Sequence, residues 1–156
     1  MSEKDYVTPS QGIIIQKDGS FDINKLYKNI SMWYFRRDYD FTEKENSNKT
    51  GSSGSEVKLI LQGERKVDSY VKFHTDMVIE AFKYKEGKGK LRINVYAYLE
   101  LDYENKWENN ALNKFLRHIY NKVIIKSKIK SYYEAKVYEE TLELSKIIKS
   151  SIGLLA

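Results

Sequence analysis

At 156 residues the chain is long enough for one domain with a substantial core, and its 27 basic and 22 acidic side chains leave a net charge of +5, a mild bias towards anionic partners. It has no cysteine and two histidines, His74 and His118, which excludes disulfides, thiolate chemistry and cysteine- or histidine-rich metal sites. No stretch approaches the roughly 20 apolar residues of a membrane span, and the N-terminus lacks a signal-peptide core, so a soluble cytoplasmic protein without a membrane partner is expected.

Residues 1–20 read as an N-terminal arm or short strand ending in a turn at Asp18 and Gly19. The first helix follows, with Ile23, Leu26, Tyr27, Ile30, Trp33 and Tyr34 at helical spacing, Asp22 as N-cap and Phe21 and Leu26 as a hydrophobic staple. Tyr39, Phe41 and Glu43 share one face of a short strand. Residues 46–55 contain no apolar side chain and are expected to be a flexible loop; they lack the Gly-Lys-Ser/Thr ending of a phosphate loop.

From Val57 to Glu104 the apolar residues fall on odd positions, as in Val71, Phe73, Met77 and Ile79, then Leu91, Ile93, Val95 and Leu99. Strand side chains point alternately to opposite faces, so this parity predicts one sheet with an apolar side and a polar side. Keeping odd residues inward on both arms of a hairpin requires an odd loop, which disfavours a two-residue turn near Gly87. Two registers satisfy this: one sets His74 opposite Glu100, the other sets Lys72 opposite Glu100 and Glu80 opposite Arg92.

Beyond the strands, Trp107 lies in a polar junction, and Leu112, Phe115, Leu116, Ile119 and Val123 stripe a second helix. A last helix is expected from about Ile129 to Lys149, with residues 151–156 as a tail. The expected fold is a single α+β domain over residues 21–150, in two layers. An antiparallel sheet of three to five strands is packed on one face by the N-terminal helix and two C-terminal helices.

No catalytic motif emerges. His74, Asp76 and Glu80 share a polar strand face, but one imidazole and two carboxylates on a flat sheet read as cross-strand charge pairing rather than as an acid–base or metal site. There is no nucleophile elbow or dinucleotide fingerprint, so no enzyme and no cofactor is expected. Tyr96 and Tyr98 lie on the same face, where acids outnumber bases, so they suit a protein interface better than nucleic acid. Lys114, Arg117, His118, Lys122, Lys126, Lys128 and Lys130 occur without an intervening acid and could hold RNA phosphates, for instance on a ribosome. Trp33, Tyr34 and Phe35 are three successive aromatics that one helix face cannot bury together.

Val67–His74, Ala97–Tyr103 with Trp107, and Lys114–Tyr120 resemble small archaeal proteins of uncharacterised function, a likeness over the C-terminal half that implies an archaeal, cytoplasmic origin. In outline, a curved sheet gripping a long C-terminal helix is similar to helix-grip lipid-binding folds, which enclose an apolar cavity. The first functional expectation is a non-catalytic interaction module, self-assembling as a homo-oligomer or docking on another protein through a sheet edge and Trp33, Phe35, Tyr96, Tyr98 and Trp107. Alternatives are an RNA- or ribosome-associated factor using the basic helix 114–130, and an apolar-ligand carrier of helix-grip type with a cavity of at least roughly 300 Å³.

Overall fold

The computed structural model describes residues 3–67, 71–101 and 132–154. Its elements are β1 (Glu3–Tyr6), β2 (Ile13–Ser20), α1 (Ile23–Arg36), β3 (Asp40–Gly51), β4 (Gly54–Lys66), β5 (Val71–Lys85), β6 (Lys88–Leu101) and α2 (Glu134–Ser151). The strands form one antiparallel sheet in the order β1-β6-β5-β4-β3, and β2 also pairs with β6. β1 takes the end of β6 near Leu101 and β2 the end near Lys88, so the N-terminal arm supplies an interrupted edge.

This corrects the expected sheet of three to five strands under three helices: the described residues hold six strands and two helices. One segment supplies an extra strand and another lengthens two strands already expected. The arm is two strands rather than one, and residues 46–55 carry the paired ends of β3 and β4 about a turn at Ser52 and Ser53. Ladder hydrogen bonds are made by backbone, so a segment without apolar side chains still pairs when its neighbour supplies a complete edge. The second expected helix and Trp107 lie outside the described residues.

Odd residues of β4, β5 and β6 face the core as expected, with Leu61, Phe73, Met77, Ile79, Ile93 and Leu99 fully buried. α1 turns Leu26, Ile30, Trp33 and Tyr34 onto this face, and α2 adds Val137, Leu144 and Ile148. The Asp22 carboxylate caps α1 by accepting from the Asn24 and Lys25 amides at 2.9 and 3.2 Å. Asn29 Nδ2 donates to Ser151 Oγ at 2.7 Å and Trp33 Nε1 donates to Glu143 Oε1 at 3.1 Å, tying the two helices side by side. The expected tail begins on the body: Ile152 is buried and its carbonyl accepts from Lys17 Nζ.

Gly63 lets α1 approach the sheet. A Cβ there would lie 2.1 Å from the Tyr34 ring, whose hydroxyl crosses the sheet face to donate to the Thr75 carbonyl at 2.6 Å.

Two bulges set the faces. The β5–β6 turn is the disfavoured two-residue kind, Glu86 and Gly87 with φ 55° and 77°. An extra residue between Phe82 and Lys85, where Lys83 takes φ 53°, restores the parity. The register is therefore the second of the two expected, Lys72 opposite Glu100 and Glu80 opposite Arg92. In β3 the pairing shifts between Glu43 and Glu45, so Asn46 and Asn48 sit opposite the inward Leu59 and Val57. Past that bulge, the even residues of β3 face inward.

Candidate functional site

The inward turn of Asn46, Asn48 and Thr50 opens a concavity. It is a cleft of about 820 Å³ between the N-terminal half of α1 and the β3–β4 hairpin. Val57 and Leu59 of β4 form its apolar floor, with Ile23 and Tyr27 of α1 and Tyr84 of β5 also in the lining. Asn24, Asn46, Asn48, Thr50 and Ser55 add amides and hydroxyls, and Glu43, Lys85 and Glu86 add two carboxylates and an ammonium.

Several walls are held before any ligand arrives. The Tyr84 ring stacks on Phe21 with centroids 4.9 Å apart, and its hydroxyl donates to the Phe21 carbonyl at 3.1 Å. Tyr27 meets Phe41 edge-on at 6.1 Å. Asn46 Nδ2 donates to Glu43 Oε1 at 3.0 Å, which leaves the Asn46 carbonyl oxygen available to accept. The volume lies in the usual range for a small-molecule site, about 300–1,000 Å³, and the lining mixes apolar walls with a few fixed polar groups.

On the opposite face of the sheet, His74 Nε2 and Glu100 Oε1 are 2.7 Å apart. They meet diagonally, because Tyr98 is opposite His74 and stacks on its ring with centroids 4.4 Å apart. Burial lowers the His74 pKa, against the pull of Glu100. Nearby, burial pushes the Asp76 carboxyl up to about 6, although the Gly63 backbone N–H favours its ionised form. Its Oδ1 is buried without a hydrogen-bond partner. The face expected to be a solvated set of charge pairs is thus partly dry, with His74 and Glu100 side chains 12% and 19% exposed. Among the described residues no group of three or more His, Cys, Asp or Glu side chains could hold a metal.

The interface candidates do not form one patch. Trp33 is fully buried and is a core residue, whereas Phe35, two positions on, is 83% exposed. Tyr98 is buried between His74 and Tyr6, and Tyr96 is half-buried. Both tyrosines lie on the face of the sheet opposite α1, away from Phe35. Lys114, Arg117, His118, Lys122, Lys126, Lys128 and Lys130, like Trp107, lie outside the described residues.

The cleft residues Asn46, Asn48, Thr50, Ser55 and Tyr84 were not sequence candidates. One signal was present: Gly51 and Gly54 bracket two serines, the spacing of a two-residue hairpin turn inside the polar run.

No family model matches the chain, and no curated protein matches it. Among solved structures, it is similar to a protein of unknown function from Staphylococcus aureus, at 16% identity over 96% of each chain. The TM-score is 0.28, and the likeness carries no argument about fold, origin or function.

Proposed function

We propose that the protein is a non-catalytic binding module that holds a neutral, polar small molecule in the cleft between α1 and the β3–β4 hairpin. The observation that carries this reading is the change of chemistry along one face. Where the helices cover the strands the inward residues are apolar apart from Thr75, whereas in the cleft β3 turns Asn46, Asn48 and Thr50 inward beside an apolar floor of Val57 and Leu59. Amides and hydroxyls donate and accept hydrogen bonds, and the charged lining residues are of both signs, Glu43 and Glu86 against Lys85, which suits a neutral ligand rich in hydrogen-bonding groups. The reading keeps the ligand-holding logic of a helix-grip outline but exchanges an apolar ligand for a polar one.

Native mass spectrometry of the protein purified gently from its own cells tests it. A small molecule should be retained and should be lost from Ser55→Trp, which fills the cleft at a partly exposed position. A bare wild-type mass, or retention unchanged in the variant, contradicts the proposal.

A second reading is self-association, favoured by Phe35, with Met32 also 49% exposed one turn earlier on α1. The β3 edge, terminal among the described strands, is a weaker candidate, since Lys44, Glu45 and Lys49 disfavour strand addition. Light scattering on Phe35→Ser should show loss of a wild-type dimer; a monomeric wild type rejects the reading.

A further inference from the structure

A second concavity, of about 500 Å³, opens near the C-terminal end of α1, between the α1–β3 turn, the end of β4 and the start of α2. Its chemistry differs from that of the cleft. Arg36, Arg37, Arg65, Lys66 and Lys136 line it. Among the described residues the lining carboxylates are those of Asp38 and Glu140; Glu140 pairs with Arg65, and Glu143 pairs with Arg37.

Two of the arginines belong to the frame. Arg65 donates to both carboxylate oxygens of Glu140 at 2.9 Å and to the Arg37 carbonyl at 2.7 Å. Its guanidinium also rests 4.8 Å from the Tyr39 ring centroid and 5.1 Å from that of Phe73. Arg37 is held by Glu143. These pairs hold the pocket wall rigid, while Arg36 and Lys136 are exposed at its lip.

The pocket also presents an aromatic face. Tyr132 is 57% exposed and braced edge-on by Tyr133, with centroids 5.4 Å apart. Lys136 Nζ lies 5.7 Å from the Tyr132 centroid. A stacking surface beside exposed cations is the pairing that recognises a nucleobase joined to a phosphate.

We infer that this pocket binds a phosphorylated nucleoside, with Tyr132 stacking on the base and Arg36 and Lys136 contacting the phosphate. The ligand is either a free mononucleotide or a nucleotide unit of single-stranded RNA. The inference does not depend on the cleft reading, because the pocket and the cleft share no lining residue.

Calorimetric titration of the full chain with AMP, adenosine, inorganic phosphate and an adenosine decanucleotide tests it at low salt. AMP or the decanucleotide should bind at least about tenfold more tightly than adenosine or phosphate alone. Arg36→Glu with Lys136→Glu should weaken that binding about tenfold or more and reduce its salt dependence. Tyr132→Ala should weaken it severalfold. These substitutions are at exposed positions, and unchanged thermal melting would confirm folded variants. Tight AMP binding identifies a mononucleotide; binding of the decanucleotide with little AMP binding identifies RNA. Absence of binding by both overturns the inference, as does phosphate binding as tightly as AMP, or affinity untouched by the three substitutions.

Discussion

The inner face of the sheet has two halves, and the same strands run through both. Under α1 and α2 it is dry: Leu61, Met77, Ile79 and Ile93 meet Leu26, Ile30 and Trp33 with almost no exposure. Beside the N-terminal half of α1, towards the β3–β4 turn, Asn46, Asn48 and Thr50 look inward and remain exposed. The difference teaches that coverage, rather than strand pairing, decides what an inward position must be. Backbone ladders satisfy both halves equally, but only the covered half gains stability from removing apolar surface from water. The uncovered half is free to carry recognition groups.

The largest effects should separate these halves. Trp33→Ala removes a fully buried indole and should cost about 3–5 kcal/mol, whereas Asn48→Ala, inward but exposed, should stay within about 0.5 kcal/mol. Urea unfolding midpoints measure both. Equal losses would erase the distinction.

A second contrast concerns two ion pairs tying α2 to the rest of the protein. Glu140 and Arg65 side chains are 5% and 19% exposed, and Glu140→Ala leaves a largely covered guanidinium unpaired, at a cost of about 3 kcal/mol. The Arg37–Glu143 pair is far more exposed, at 40% and 41%, and a double-mutant cycle on it should return a coupling of about 0.2–1 kcal/mol.

A smaller, pH-dependent effect distinguishes the two faces. Asp76, pushed up to about 6, binds its proton more tightly folded than unfolded. Its contribution is fully present below pH 4 and is lost as pH rises through about 6, so at pH 7 the ionised carboxylate destabilises the fold. Asp76→Asn should therefore raise stability at pH 7 by roughly 1–3 kcal/mol and do little at pH 4. His74, whose pKa is lowered, acts oppositely, its contribution being lost as pH falls below the ordinary imidazole range. Denaturation midpoints of wild type and Asp76→Asn across pH 4–8 check the sign; a larger gain at pH 4 than at pH 7 reverses it.

The covered half was legible in the sequence because burial imposes a pattern. Odd parity marked Val71 to Leu101, and helical spacing marked Leu26, Ile30, Trp33 and Tyr34, which left Phe35 as the aromatic outside. That phase also argues against Trp33 as an interface residue. The uncovered half was illegible for the same physical reason. Asn46 to Ser55 face water on both sides, so no apolar residue records their pairing, and low strand propensity made them read as a loop. The bulges at Lys44 and Lys83 depend on where neighbouring strands pair, and local sequence does not state that. Only the bulge in β3 turns Asn46 and Asn48 into cleft residues, so the candidate site could not be assembled from parity alone.

The most direct test of the cleft is a nitrogen-15 NMR titration that follows the side-chain amides of Asn46 and Asn48 against disaccharides, polyols and nucleosides at about 1 mM, a level that detects millimolar binders. Saturable shifts are expected at these amides and at Tyr27 and Tyr84 for at least one compound, abolished in Ser55→Trp, while Asn94 on the far face stays still. Shifts absent from the cleft for every compound, or centred on the far face, would contradict the cleft reading.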